Sequence, residues 1–117
     1  MGMDRNGWPL AFLLTVVSET PVYLLALRRT LGWGKALLVT LALNLLTHPL
    51  AWSTITAAAR PFPWDFLAVE AAVLVVEALV IFTLGRTSWS CRPIGAVEAL
   101  AISLSANGLS AGLGLLL

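Results

Sequence analysis

Four long apolar stretches follow one another along the chain, and short segments rich in Gly, Pro and charged residues separate them. Crossing the roughly 30 Å hydrocarbon core of a bilayer takes about 20 residues of helix, which is about the length of each stretch. Lipid offers no partner to backbone N–H and C=O groups, so spans of this kind are expected to be helical. The pattern predicts an all-α fold, a polytopic transmembrane four-helix bundle that forms a single domain over residues 1–117, with spans at about 8–27, 36–55, 64–84 and 94–117.

The two halves of the chain share a weak similarity. Glu19 and Asn44 in the first two spans match Glu77 and Asn107 in the last two when a short insertion is allowed. Parallel repeats in membrane proteins are related by an axis along the membrane normal. The similarity therefore predicts a duplicated two-helix hairpin within the bundle.

Composition favours lipid over water as the solvent of the chain. Hydrophobic residues make up 59% of the 117 residues and charged residues 11%, and so small a soluble domain could not bury that much apolar surface. The formal net charge is only +1, which argues against a surface for nucleic acid. The single cysteine, Cys91, excludes an internal disulfide framework and a Cys-based zinc site. The lipid bilayer is the expected partner.

Positive charge is unevenly divided among the segments between the spans. The N-terminus and the segment 56–63 hold one arginine each, whereas the segments 28–35 and 85–93 hold most of the cations. Cytoplasmic segments of membrane proteins carry the excess of Lys and Arg. We therefore expect a multi-pass protein of the cell (inner) membrane with both termini on the non-cytoplasmic side. The cations on the predicted cytoplasmic side are Arg28, Arg29, Lys35, Arg86 and Arg92.

Each span carries polar residues at about the same depth. At 1.5 Å per residue, their distances from the span ends place them near the bilayer midplane, where an ionisable group costs about 2.5–3.5 kcal/mol on insertion scales. Carboxyl groups could supply negative charge or exchange a proton, an imidazole can change charge near neutral pH, and carboxamides could orient them. We therefore predict a central site for an ion or proton formed by Glu19, Asn44, His48, Glu77 and Asn107.

Further polar side chains share helix faces with this predicted site. Residues three, four or seven positions apart lie on one face of a helix, so these side chains are expected at an entrance or in a secondary layer. Pro21 and Pro49 each remove a backbone N–H inside a span, which is expected to free the carbonyl groups of Val17 and Leu45 for the site. The entrance or secondary residues are Glu70, Thr47, Ser103 and Ser110.

Three functions are compatible with such a polar cluster. A site that binds or relays a cation or proton, in a transporter-like or channel-like protein, explains why costly carboxyl groups are present. Alternatively, the chain is a structural or accessory subunit of a larger membrane complex, and the polar groups join its helices by hydrogen bonds. A metal-dependent intramembrane enzyme would use His48, Glu19 and Glu77 as ligands, but one histidine is few for such a site and no His-Glu-x-x-His motif is present. The sequence does not identify a cofactor: the site could take a metal cation or a proton, and in an accessory subunit His48 could ligate a pigment or haem held by a larger partner.

The last span has a stripe of small residues. Gly108 and Gly112 are four residues apart, and Ala101 and Ser105 lie on the same face. Such stripes let two helices approach closely in a membrane. The stripe predicts close packing either within the bundle or between the two copies of a homodimer.

Three short motifs coincide with the polar positions. They are Ser18-Glu19-Thr20-Pro21, Asn44-Leu45-Leu46-Thr47-His48-Pro49 and Val76-Glu77-Ala78-Leu79. Across most of its length the chain resembles a family of small bacterial integral membrane proteins with no established activity. The resemblance implies a compact helical unit in which these positions are a signature, and it implies no substrate.

Overall fold

The computed structural model describes residues 8–57 and 64–116 of the chain. All-α structure is confirmed over these residues, since four helices account for nearly all of them and none of the described residues is in a strand. The predicted segment 56–63 lies mostly outside the described residues. The helices are α1 (Trp8–Leu31), α2 (Trp33–Ala57), α3 (Trp64–Leu84) and α4 (Ala96–Leu116).

The helices form an antiparallel ring in which each packs against two neighbours. α1 contacts α2 and α4, and α3 contacts α2 and α4. The junction at Gly32 and the connection 85–95 contact each other through the hydrogen bond from the Cys91 N–H to the Thr30 carbonyl oxygen. α1 and α3 therefore end, and α2 and α4 begin, at the same end of the bundle. Short connections between successive helices favour this up-and-down arrangement.

The junction between α1 and α2 differs from the prediction. Instead of a connector over residues 28–35, only Gly32 separates the two helices. Its φ of 82° is in the left-handed region that glycine adopts without strain, and its N–H donates to the Arg28 carbonyl oxygen at 2.9 Å. The chain therefore reverses at one residue. The first two spans predicted from sequence are shorter than α1 and α2 because arginine and lysine are also good helix formers.

The connection between α3 and α4 packs closely on this junction. The Cys91 N–H donates to the Thr30 carbonyl oxygen at 2.7 Å, and Lys35 Nζ donates to the Trp89 carbonyl oxygen at 3.1 Å. Ile94, in the same connection, is fully buried against Gly85. We call this end of the bundle, formed by Gly32 and residues 85–95, the loop end.

The cations predicted to lie on one side of the membrane all lie at the loop end. Arg28 lies 5.7 Å from the Trp33 ring centroid and Arg86 lies 4.7 Å from that of Phe82, distances typical of cation–π contacts. Arg92 donates to both carboxylate oxygens of Glu98, and these hydrogen bonds raise the pKa of Arg92. Arginine and aromatic side chains of this kind suit the interface between lipid and water.

Polarity is distributed opposite to that of a water-soluble bundle. Large apolar side chains such as Leu38, Leu45 and Leu79 cover the outside, whereas Glu19, Glu77 and several other polar side chains are buried inside. Lipid rather than water suits such an exterior. Three segments are long and apolar enough to cross a membrane: Trp33–Ala51, Leu67–Leu84 and Ala96–Leu113.

Helix α1 is less apolar than the other three. Its 24 residues would extend about 36 Å, which is enough to cross a bilayer. It contains Glu19, Arg28 and Arg29, and it is not one of the three helices named above as long and apolar enough to cross a membrane. Its burial pattern nevertheless matches that of its neighbours, because Ser18, Glu19 and Tyr23 face the interior.

Candidate functional site: a buried carboxyl cluster

Glu77 of α3 accepts hydrogen bonds from each of the other three helices. Tyr23 Oη of α1 lies 2.5 Å from Glu77 Oε1, and Asn107 Nδ2 of α4 lies 2.8 Å from the same oxygen. Thr47 Oγ1 of α2 lies 2.9 Å from Oε2. All three partner groups can donate, and Glu77 can accept from them through both of its carboxyl oxygens. This residue, which is 1% exposed, is the point where all four helices are joined.

The donors to Glu77 are themselves held in place. Asn107 Nδ2 also lies 3.0 Å from the Ser103 carbonyl oxygen, one turn earlier in α4. Thr47 Oγ1 lies 2.8 Å from the Leu43 carbonyl oxygen, so its single hydrogen can serve either that carbonyl or Glu77. Tyr23 is fully buried, which fixes its ring between the helices.

Glu19 of α1 is the second fully buried carboxyl group, and it has fewer partners. Ser110 Oγ of α4 donates to Glu19 Oε2 at 2.5 Å. The other oxygen, Oε1, is buried and has no hydrogen-bond partner among the described residues. An unpaired polar atom in a low-dielectric interior is costly, so each such atom needs an explanation.

A small cavity lies beside the two carboxyl groups. Its volume of about 20 Å³ is enough for about one water molecule. It extends from Glu77 toward the end of the bundle opposite the loop end, where α2 ends and α3 begins. The lining residues are Thr15, Glu19, Asn44, Thr47, His48, Ala51, Glu70, Val73, Glu77, Asn107 and Ser110.

The cavity wall contains carboxyl groups but no fixed cation. Glu19, Glu70 and Glu77 all line it, whereas none of its lining residues is a Lys or Arg. The cations in the described part of the chain are gathered at the loop end, where Arg92 pairs with Glu98. Charged groups inside a membrane normally pair with one another. The carboxyl groups that line this cavity have no Lys or Arg in its wall to pair with.

Apolar side chains close the bundle between the site and the loop end. Tyr23, Leu27, Ile81 and Ile94 are at most 1% exposed and pack in one cluster with other buried residues. The cluster lies beneath Glu77, because Ile81 is one turn farther along α3 toward the loop end.

All five predicted central residues line the cavity. The hydrogen bonds that Glu77 receives from α1 and α2, however, come from Tyr23 and Thr47, neither of which was predicted as a central residue. Asn44 Nδ2 instead donates to the Thr40 carbonyl oxygen of its own helix. Residues three or four apart share a helix face but differ in height by about one turn, so Tyr23 and Thr47 reach Glu77 from the faces that also carry Glu19 and Asn44.

Three of the four predicted entrance or secondary residues line the cavity. Glu70, Thr47 and Ser110 line it, whereas Ser103 does not and donates to the Leu74 carbonyl oxygen. Val17 and Leu45, whose carbonyl groups were expected to open into the site, are not among the lining residues. Both prolines are accommodated within continuous helices.

The predicted metal ligands do not form a metal site. His48, Glu19 and Glu77 line one cavity, yet no group of three His, Cys, Asp or Glu side chains in residues 8–57 and 64–116 is arranged to hold a metal ion. His48 packs edge-on against the Phe12 ring, with centroids 5.3 Å apart. The geometry gives no support to a metal-dependent enzyme.

Tyr23 is the functional residue that the sequence interpretation missed. It is the only tyrosine of the chain and lies four residues after Glu19, on the same helical face. A tyrosine in a span usually suggests an interfacial position, which conceals its role as a buried donor. The spacing from Glu19 was the available signal.

The small-residue stripe of α4 faces outward. Gly108 and Gly112 are exposed, and a Cβ atom built at either position would meet no atom within 4 Å. Ala101 and Ser105 are exposed as well. Of the two packing roles predicted from sequence, the stripe does not serve close packing within the described bundle.

Comparison with known proteins adds no relative: no family model matches the chain, and neither a curated protein nor a solved structure is significantly similar to it. The resemblance to small bacterial membrane proteins and the duplicated hairpin both stay predictions. The function of the chain is therefore inferred from the geometry of its buried polar site.

Proposed function

We propose that this protein is a small transporter-like membrane protein that binds and relays a single positive charge, a proton or a monovalent cation, at the cavity beside Glu19 and Glu77. One observation carries the proposal: three carboxyl groups line a cavity whose wall contains no Lys or Arg. Carboxyl groups are costly inside a membrane, and Ser or Asn would join helices at lower cost. Binding of an exchangeable positive charge explains why carboxyl groups, and not Ser or Asn, line the cavity.

The direction of access supports a carrier more than a pore. The cavity extends away from the loop end, and the apolar cluster around Leu27 and Ile81 separates it from that end. Transfer across the bilayer then requires a second conformation in which this cluster opens. By the positive-inside rule the loop end faces the cytoplasm, so the site loads from the non-cytoplasmic side of the cell membrane.

In this proposal α1 crosses the membrane together with the three more apolar helices. Its polar residues Glu19 and Tyr23 face the bundle interior, so their cost in lipid is avoided. Arg28 and Arg29 lie in its last turn, where they reach the interface and interact favourably with the helix C-terminus. Four crossings place both termini on the same side.

Proton flux in liposomes tests the proposed function. With a potassium diffusion potential as driving force, we expect the wild-type protein to acidify vesicles that contain a pH-sensitive dye. Glu19→Gln removes an exchangeable charge and is expected to reduce flux to the level of empty liposomes. Glu98→Gln, which changes a carboxyl at the loop end that already pairs with Arg92, is the matched control and is expected to leave flux unchanged. Absence of both proton and alkali-cation flux in wild-type vesicles would contradict the proposal.

A second candidate function has its own supporting observation. Because Glu77 bonds α1, α2 and α4 at once, the polar core could serve only to hold the helices of an accessory subunit together. This alternative does not explain why Glu19 Oε1 is buried without a hydrogen-bond partner among the described residues, or why Glu19 lines a cavity. It predicts no flux and copurification with a larger membrane complex.

The exposed stripe of α4 supports a homodimer as part of the same proposal. Gly108 and Gly112 offer a face on which a second α4 could approach closely, and two-fold symmetric dimers are the commonest oligomers. We expect Gly108→Ile with Gly112→Ile to convert a crosslinked dimer into a monomer in liposomes. Leu100→Ile, at an exposed position of the same helix, is the control. An unchanged crosslinking pattern in the double variant would show that the stripe is not the interface.

A further inference from the structure

The two buried carboxyl groups differ in how their oxygen atoms are used. Both oxygens of Glu77 accept hydrogen bonds from the surrounding helices. Glu19 uses only Oε2, which accepts from Ser110, while Oε1 has no partner in the described part of the chain. Glu19 is 1% exposed and lines the cavity. A proton can therefore bind or leave Glu19 without breaking a hydrogen bond between helices, which is not true of Glu77.

Ser110 can accommodate both charge states of Glu19. Its Oγ lies 2.5 Å from Glu19 Oε2 and 3.2 Å from the Asn107 carbonyl oxygen, and its hydroxyl has a single hydrogen. When Glu19 is ionised, Ser110 donates to it. When the proton is on Oε1, Oε2 remains an acceptor, so Ser110 can still donate to it and the hydrogen bond between α1 and α4 is kept.

The size and donor set of the cavity favour a proton over a metal cation. About 20 Å³ admits one water molecule, which can carry a proton to a carboxylate. A dehydrated alkali cation needs several oxygen ligands, but three of the four oxygens of Glu19 and Glu77 already accept from O–H or N–H groups. In addition, no three acidic, His or Cys side chains among the described residues are arranged as ligands.

We propose that the charge held by the site is a proton and that Glu19 is the residue that carries it, at Oε1, while Glu77 stays a fixed acceptor. In the binding step, a hydronium ion in the cavity transfers a proton to ionised Glu19 and becomes water; release is the reverse. The assignment rests on the proposed function and makes it specific to one carboxyl group.

Several titratable groups surround Glu19 and would affect its proton affinity. α3 contributes Glu70 and Glu77, α2 contributes His48, and α1 itself contributes Tyr23. α4 contributes only the neutral Ser110 and Asn107 to the cavity wall. The decisive experiment therefore uses the unmodified chain, so that all these groups keep their native charges.

Labelling with the apolar reagent N,N′-dicyclohexylcarbodiimide tests the assignment. The reagent adds to a protonated carboxyl group in apolar surroundings, and the adduct rearranges to a stable N-acylurea that peptide mass spectrometry locates. In liposomes containing wild-type protein, we expect label on Glu19 and little on Glu77, with a rate that falls as pH rises. Glu98, which pairs with Arg92, is the internal control and is expected to stay unlabelled.

Replacing choline chloride by sodium or potassium chloride at constant ionic strength identifies the bound charge. Equal labelling rates in the three salts support a proton. Protection of Glu19 by sodium or potassium would overturn the proton assignment while leaving a cation-binding function intact. Label on Glu77 in place of Glu19, or no label on either, would overturn the assignment to Glu19; the flux measurement then judges the proposed function separately.

Discussion

Glu77→Ala is expected to lower the free energy of unfolding by about 2–5 kcal/mol, because it removes the acceptor of three hydrogen bonds worth about 0.6–2 kcal/mol each in membrane proteins. Tyr23, Thr47 and Asn107 would lose their common partner inside the bundle. Unfolding of the purified protein in mixed detergent micelles, followed by circular dichroism as the denaturing detergent is raised, measures the change.

Glu77→Gln separates the hydrogen bonds from the charge. Its amide oxygen can still accept from Tyr23 and Asn107, and its NH₂ can donate to Thr47, whose hydroxyl then turns to the Leu43 carbonyl oxygen 2.8 Å away. We expect this variant to lose only about 1 kcal/mol. A similar loss of stability in the Gln and Ala variants would show that charge, rather than hydrogen bonding, makes Glu77 important for folding. A loss below about 1 kcal/mol for Ala would contradict the role of Glu77 as the point that joins the helices.

Gly85→Ala is expected to destabilise the loop end by about 1–3 kcal/mol, the usual cost of overpacking a filled interior. A Cβ atom at this position would lie 2.6 Å from Ile94 Cβ and 2.9 Å from the Ile94 backbone nitrogen. Neither atom can move easily, because Ile94 is fully buried and belongs to the apolar cluster beneath the site. The midpoint of thermal unfolding in detergent measures the effect.

Gly95→Ala is the matched control for that substitution. It lies in the same connection, its φ is outside the positive range, and a Cβ atom there meets nothing within 4 Å. We expect its free energy of unfolding to stay within about 0.5 kcal/mol of wild type, so that its unfolding midpoint barely changes. Equal unfolding midpoints for the two variants would mean that the contact with Ile94 does not destabilise Gly85→Ala.

Much of the fold could be predicted from the length and hydropathy of the apolar stretches. Spans of about 20 residues in lipid must satisfy their own backbone hydrogen bonds, which limits them to helices. The boundary at Gly32 could not be read in this way, because hydropathy marks where a chain becomes polar rather than where a helix ends. Arg28 and Arg29 end an apolar stretch but remain within α1.

The candidate site shows the same division between sequence and structure. The free-energy cost of exposing a carboxyl or carboxamide group to lipid is enough to predict that Glu19, Glu77 and Asn107 face the bundle interior. The pairing of Glu77 with Tyr23 and Thr47 was not predictable, because a vertical shift of one turn between neighbouring helices changes which side chains meet. Tyr23 gives no sign of its role until α1 and α3 are placed side by side.

The class of molecule and the depth of its polar groups follow from the sequence, because the free energy of moving a side chain between water and lipid depends on each residue separately. Which carboxyl oxygens accept hydrogen bonds depends on the tertiary structure. The rotation and height of the four helices leave Glu19 Oε1 without a partner among the described residues, bring Glu19 to the cavity wall and surround both oxygens of Glu77 with donors. These quantities are set by packing among all four helices at once.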